Sequence, residues 1–436
     1  MAAALLAAAA SVMTRIALLS SEPVRARMAG IGIRYLELAR RLPRAGIDVV
    51  LLSPAAPEET AALGGLGGIE IHRFERGRLA VVLGHCDGAV AQGQLANDLL
   101  LEMPGLPVAI DLYDPWLIEN FAYFETLGLD PYRNDHATWG LQMARGDFFL
   151  CSSEEQRTFY LGFLTAAGRV NPERIAGDPD LATLIAPVPF GVPEKLPPHR
   201  AALSPRAPGE RRLLFGGLYD WYDPWTLLEA LERLDRPVGQ SWTLLFLRNP
   251  NPENTPQRLF ARVEARCREL GWWGKQVQAL DWLPAERRYD LLRDVDLLVA
   301  PHRPSLETRL SLRTRFLDAL AASCPVVTSE GGAMSRLLAE HRAGWVVPPG
   351  DAEALASALA EALDAPDARQ EGARRLAACF HWERVLAPLV AFCRDPQVDE
   401  TKERFGQRLA TIAPPDRLAF RLRRRLRRLG SSGGGA

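Results

Sequence analysis

From Thr14 to about Arg394 the chain alternates short apolar runs with amphipathic stretches, and no other feature constrains the fold as tightly. RIALLSS, DVVLLSP, DGAVAQG, LPVAIDLYD and RGDFFLCSS read as strands, with helical stretches such as GIRYLELARRLPRAG between them. Short apolar strands separated by helices make βαβ units, and hence a parallel sheet covered on both faces. Ligands in such sheets sit beyond the carboxyl ends of the strands. The proline-rich PVPFGVPEKLPPHRAALSPRAPG, Pro187 to Gly209, reads as an interdomain linker. A second alternation follows, from RRLLFGG through DLLVAPH and PVVTS to DAEALASALAEAL. The expected architecture is α/β, with two Rossmann-like, doubly wound parallel-sheet domains facing a cleft. The expected boundaries are 14–190 for the first domain, 191–210 for the linker and 211–378 for the second domain. Residues 379–396 form a crossover helix returning to the first domain, and 397–436 a basic tail.

With 436 residues, 47% hydrophobic content and a formal net charge of −1, the chain can bury a large core, and its balanced charge argues against nucleic acid as a partner. The six cysteines show no CxxC pair, which predicts free thiols and a reducing, cytoplasmic location. The opening MAAALLAAAASVM lacks a basic n-region and is shorter than the ~20 residues a membrane span needs; Met13 is a candidate start.

The densest chemistry lies in SLETRLSLRTRFLDALAASCPVVTSEGG, Ser305 to Gly332. Leu312, Phe316, Leu317 and Leu320 have helical spacing, which places Ser311 close to a helix N-terminus. Unpaired N–H groups and partial positive charge there suit a phosphate. Arg313 and Arg315 add forked donors, and Asp318 one turn on can accept paired sugar hydroxyls. The same residues also read as an N-capped surface helix with solvated arginines. Gly331 and Gly332 follow the strand CPVVTS, either as a turn or as a place where backbone N–H groups approach phosphate or sugar.

This order of parts resembles the donor domain of GT-B glycosyltransferases, in particular the retaining family 4 group. It is carried by DALAASCPVV, GG, GWVVPPGDAEALASAL and FHWERVLAPL, and at the N-terminus by MAGIGIRYLELARRLPRAGIDVVLLSP, and spans roughly Thr14 to Arg394. The resemblance implies a metal-independent transfer of a sugar from a nucleotide-diphosphate sugar, as co-substrate, to a glycan or lipid-linked acceptor, with no cofactor. Two departures stand out. Seven residues before Asp318 the family's first acid falls on Leu310, and the nearest acid is Glu307. Where the family carries an arginine and a lysine, this chain has Gly217 and Tyr222, beside Gly216, so Arg313 and Arg315 are expected to replace those cations. DLYDP, RGDFFLCSSEEQRTFYLG and GGLYDWYDPWTL are similar to a bacterial subgroup set in polysaccharide or lipopolysaccharide assembly.

Asp111 and Asp114 in DLYDPW end an apolar strand and are expected either to contact the acceptor or to form a turn. His302, after DLLVAP, is a candidate for the cleft or a structural hydrogen-bonder, as is His136 in RNDHATWG. Gly30 and Gly32 in RMAGIGIRY make a tight turn or bring backbone close to phosphate or acceptor. No metal motif is visible. In PPDRLAFRLRRRLRRLG, Leu418, Leu422, Leu426 and Leu429 share a helical face amid arginines, so residues 415–429 are expected to meet an anionic membrane surface, unless this is a solubilising end. Two rival readings are a nucleotide-sugar epimerase of the same fold and a non-catalytic binding scaffold.

Overall fold

The computed structural model describes residues 13–124, 128–234, 240–249 and 258–405. The first twelve residues and the basic tail segment 415–429 lie outside them. Among the described residues thirteen strands fall into two sheets, as the alternation predicts. The first holds β1 (Arg15–Leu19), β2 (Asp48–Ser53), β3 (Glu70–Arg73), β4 (Gly88–Ala91), β5 (Val108–Asp111), β6 (Phe148–Cys151) and β7 (Ile185–Pro187). Its order is β3-β2-β1-β4-β5-β6-β7. The second holds β8 (Glu210–Gly217), β9 (Ser241–Leu247), β10 (Val277–Leu280), β11 (Leu297–Val299), β12 (Val326–Ser329) and β13 (Trp345–Val347), in the order β10-β9-β8-β11-β12-β13. Every ladder is parallel. The central strands are apolar throughout because helices cover both faces: Ile16, Ala17, Leu18 and Leu19 are fully buried, as are Leu213, Val299 and Val326.

The chain passes between the domains twice, and the two passages pair. The Val192 N–H donates to the Phe380 carbonyl at 2.8 Å, and the Trp382 N–H returns the bond to Val192 at 3.1 Å. Gly191 is required there, because a Cβ would collide with the indole of fully buried Trp382. Helices Trp382–Val385 and Ala387–Arg394 then lie on the first domain, where Phe392 stacks on Phe148 at 5.4 Å. The following residues are fastened by buried ion pairs: Asp399 receives Arg169 at 2.5 Å and Arg174 at 2.6 Å, and Lys402 meets Asp147 at 2.7 Å. Burial alone would raise the Asp399 carboxyl, but the two guanidinium groups hold it at about 2.

Across the cleft, the Tyr113 hydroxyl donates to the Leu312 carbonyl (3.2 Å), the Trp282 indole N–H to the Met28 carbonyl (3.1 Å) and the Ala285 N–H to the Ala26 carbonyl (2.9 Å). Leu310, on a helix of the second domain (Leu306–Leu310), joins the apolar cluster of the first domain with Leu112 and Leu117. All six cysteines are free, and no helix among the described residues is long and apolar enough to cross a membrane.

Candidate active site

Between the carboxyl ends of the two sheets lies a cavity of about 290 Å³. Its floor is made by two helix N-termini. The helix Gly30–Arg41 begins after Ala29 and the helix Thr314–Ala321 after Arg313, neither with a side-chain cap. A Cβ on Gly30 would stand 4.0 Å from the Thr314 hydroxyl oxygen, so the two first turns face each other across the cleft. Their unpaired N–H groups and dipoles make this floor electropositive.

The wall from the second domain carries the arginines. β8 ends in an irregular register between Leu214 and Gly216, where Gly216 takes φ +85°. Arg315 straddles this bend, donating to the carbonyls of Phe215 at 2.7 Å and Gly217 at 2.9 Å. Its guanidinium carbon lies 4.3 Å from the Tyr222 ring centre, and that of Arg313 4.7 Å. Arg313 is held at 2.6 Å by Glu307, whereas Arg315 has no carboxylate partner among the described residues; burial lowers its pKa. Asp318 pairs with Arg288 at 3.2 Å, and both line the cavity. The Ser311 hydroxyl, also on the wall, is buried without a hydrogen-bond partner. Ser311 ends the helix Leu306–Leu310 rather than capping the next one. Tyr219 stacks on Trp221 at 5.1 Å, and Trp282 completes an aromatic side to the cavity.

The wall from the first domain carries acids. Glu22, after β1, has one carboxylate oxygen buried and unpartnered; burial and the nearby Asp114 raise it from the usual 4.5 to about 7. Asp114 is raised to about 6 by burial, although a hydrogen bond with Glu119 opposes the shift. Burial and the charge of Asp114 drive Glu119 well above the carboxylate range, so Glu119 keeps its proton and donates it to Asp114. Among the described residues no three His, Cys, Asp or Glu side chains are placed to hold a metal ion.

The structure thus brings Gly30, Asp114, Gly216, Gly217, Ser311, Arg313, Arg315 and Asp318 to one cavity. Six expected site residues stand elsewhere. Asp111 does not meet an acceptor: both its oxygens take Arg34, at 2.7 and 3.2 Å, in a fully buried pair. His302 does not face the cleft: its ring lies behind Tyr222 and against Phe316, with Nδ1 3.2 Å from the Thr328 hydroxyl. Burial, then Arg313 and Arg315, push its pKa well below 6.5, which leaves it neutral. Glu307 is buried beneath the wall, holding Arg313 rather than a ligand. Gly331 and Gly332 seat the helix Leu306–Leu310: a Cβ on Gly332 would come 2.7 Å from the Thr308 carbonyl oxygen, and the Gly332 N–H donates to Ser335. Gly32 is a packing glycine, with Met28 and the Pro23 carbonyl 2.9 Å from where its Cβ would be. Sequence reasoning missed Glu22, Glu119, Arg288, Tyr219 and Trp282. Glu22 alone carried a signal, as an acid just past the carboxyl end of a strand.

Residues 210–365 match the family described as Glycosyl transferases group 1. No curated protein matches the chain. Among solved structures the chain is similar to sucrose-phosphate synthase from Thermosynechococcus elongatus, at 17% identity over 87% of this chain and 98% of that one, with a TM-score of 0.64. It is similar to Anabaena HepE in complex with UDP-glucose, at 15% identity over 86% and 98%, TM-score 0.58. It is also similar to WaaG, a glycosyltransferase involved in lipopolysaccharide biosynthesis, at 17% over 86% and 98%, TM-score 0.54. Residues 210–365 thus match the group 1 glycosyltransferase family, and the two-domain chain that carries them has the GT-B fold.

Proposed function

We propose that the chain moves a sugar from a nucleoside-diphosphate sugar to a hydroxyl of a glycan or lipid-linked acceptor, within the cleft, without a metal and with retention at the anomeric carbon. The observation that carries the reading is the pair of uncapped helix N-termini facing each other over Gly30 and Thr314, with Arg315 beside them. A diphosphate there would meet free N–H groups, two helix dipoles and the guanidinium that has no carboxylate partner among the described residues. The Ser311 hydroxyl is free to join it. The acceptor lies on the Asp114 wall. HepE, solved with UDP-glucose and with UDP and glucose, supports a nucleotide sugar as donor, and WaaG supports a setting in surface polysaccharide assembly. Retention and independence of metal rest on the resemblance of the sequence. Six free thiols favour a cytoplasmic location, peripheral to the membrane if the basic tail reaches it.

An epimerase of this fold needs acids or histidines at the sugar from both domains. Among the described residues, Asp318 is the second domain's one such group on the cavity wall, and Arg288 occupies it. The test is a thermal-shift panel of UDP, GDP, dTDP and ADP against the wild type and Arg315→Met. A nucleotide that binds the folded state raises its melting temperature by mass action. One nucleotide is expected to raise it for the wild type and to lose most of that shift in the variant. No shift with any nucleotide would refute the reading in favour of a binding scaffold.

A further inference from the structure

Donor and acceptor sit on opposite walls of the cleft, so the distance between them depends on what ties the two domains together. Arg40 meets Glu286 at 3.1 Å and Arg336 meets Glu155 at 2.9 Å, but none of these four lines the cavity. The Trp282 indole N–H and the Ala285 N–H reach carbonyls in the loop after β1, at Met28 and Ala26. Tyr113 differs. Its hydroxyl crosses from the first domain to the Leu312 carbonyl, and Leu312 stands between Ser311 and Arg313 on the cavity wall. Tyr113 is braced for that reach. Its N–H donates to Asp111 at 3.2 Å, and its carbonyl receives the Gln156 side-chain amide at 3.0 Å. Its ring lies 4.7 Å from the Arg34 guanidinium carbon and 6.3 Å from the Phe190 ring. Burial and the charge of Asp114 raise the hydroxyl well above its ordinary 10, so it keeps the proton it donates. Tyr113 itself lines the cavity, and the next residue, Asp114, belongs to the acceptor wall.

We propose that Tyr113 is a positioning residue: by holding the Leu312 carbonyl, its hydroxyl fixes residues 311–313 against the Asp114 wall and so sets how closely donor and acceptor approach. This rests on the transferase reading above. Tyr113 takes no proton and forms no bond to the sugar, so the assignment agrees with retention at the anomeric carbon. Transfer needs the reacting atoms about 3–3.5 Å apart, and a misplacement of about 1 Å lowers the rate about 10²-fold. A bond that joins the neighbour of Asp114 to the neighbour of Ser311 and Arg313 acts on that distance directly. At 3.2 Å it is long for an O–H···O contact, so its loss weakens the fold only modestly.

The test compares wild type, Tyr113→Phe and Arg336→Gln as full chains, with UDP-glucose, GDP-mannose and ADP-glucose as donors and octyl glucoside as surrogate acceptor. Nucleoside diphosphate release is measured with and without the acceptor, which separates transfer from hydrolysis, and each protein is melted with and without nucleotide. Tyr113→Phe should keep the donor KM, the rate of donor hydrolysis and the nucleotide thermal shift, and should melt within about 4 °C of the wild type. Its kcat for transfer should fall about 10–10²-fold, and the ratio of transfer to hydrolysis with it. Arg336→Gln, which cuts a tie away from the cavity, should keep that ratio. A purely structural hydroxyl would lower the melting temperature and leave the ratio alone. That result, or a Tyr113→Phe chain that fails to fold, overturns the inference and leaves the transferase reading intact. Loss of the nucleotide shift in Tyr113→Phe would make the residue part of the donor site and overturn it too, as would an equal fall in the ratio for Arg336→Gln. No acceptor-dependent release by the wild type from any donor overturns it, and no nucleotide shift in the wild type would bring down the transferase reading with it.

Discussion

Replacing Asp111 by Asn separates a structural role from a catalytic one. The carboxylate and Arg34 are both fully buried, joined by bonds of 2.7 and 3.2 Å, and Arg34 also donates to the Pro189 carbonyl at 3.1 Å while Asp111 accepts the Tyr113 N–H. An asparagine keeps the shape but presents an amide to a buried cation and removes its counter-charge. Breaking such a pair on one side costs about 3–5 kcal/mol, because the surviving charge has neither water nor partner. For a domain of this size that is a melting temperature lower by about 6–20 °C. Arg34→Met should cost a similar amount, and Arg34→Met with Asp111→Leu less than the two single losses together, since an apolar pair of matched volume removes the stranded charge. Thermal melts and urea titrations at neutral pH measure all three. An Asp111→Asn protein within about 2 °C of the wild type that had nonetheless lost sugar transfer would refute the structural assignment and return Asp111 to the chemistry.

Three further outcomes follow from the site and the contacts that hold it. Glu22 and Asp114 titrate at about 7 and about 6 when folded, against 4.5 and 3.8 ordinarily, so the folded chain holds protons that the unfolded chain releases. Their contribution to stability therefore falls as pH rises from about 4 to 7. Glu22→Gln should melt like the wild type below pH 4.5 and progressively above it toward pH 7, and a difference flat with pH would contradict the burial of that carboxyl. Leu310→Ala, which empties a position 4% exposed in the first domain's apolar cluster, should cost about 2–5 kcal/mol by urea unfolding, whereas a surface leucine would cost nearly nothing. Gly216→Ala, at φ +85° with the Arg315 guanidinium 3.4 Å from the added Cβ, should cost about 1–2 kcal/mol and weaken the nucleotide thermal shift; a variant matching the wild type in both would separate the bend from the site.

The strands were legible because a parallel sheet covered on both faces demands unbroken apolar runs, and such runs occur in the sequence at the spacing of βαβ units. Arg313, Arg315, Ser311 and Asp318 were legible because one helix start and its first turn hold them within eight residues. What failed was direction. Asp111 does end a strand, where ligands gather, but side chains alternate across a sheet. Val108 and Ile110 point to one apolar cluster and Ala109 to the other, so Asp111 follows Ala109 toward the helix Gly30–Arg41, where Arg34 waits. That parity was readable, and so was an arginine in the middle of an otherwise apolar helix. Glu119 and Arg288 were not, since only the packing of their helices turns them to the cavity.

The departures at Leu310 and Glu307 have a common physical cause. An acid at position 310 would stand among Leu112, Leu117 and Ile118 of the first domain, a place where an unpaired carboxylate is costly. Leucine there converts the position into an interdomain contact, and the helix Leu306–Leu310 is drawn onto the first domain. Glu307, one turn earlier, then lies beneath the wall, where it fixes Arg313 at 2.6 Å. With Arg313 neutralised by that pair and Arg288 by Asp318, the net positive charge around the donor is left to Arg315 on the second-domain wall and the two helix ends on the floor. Loss of Arg315 should therefore weaken nucleotide binding more than loss of Arg313, whose removal also strands Glu307. Arg313→Met should accordingly act mainly on stability, restored in part by Glu307→Gln, and Arg315→Met mainly on the nucleotide shift. The reverse pattern in a single thermal-shift series would show that Arg313 leaves Glu307 for the diphosphate when the cleft is loaded.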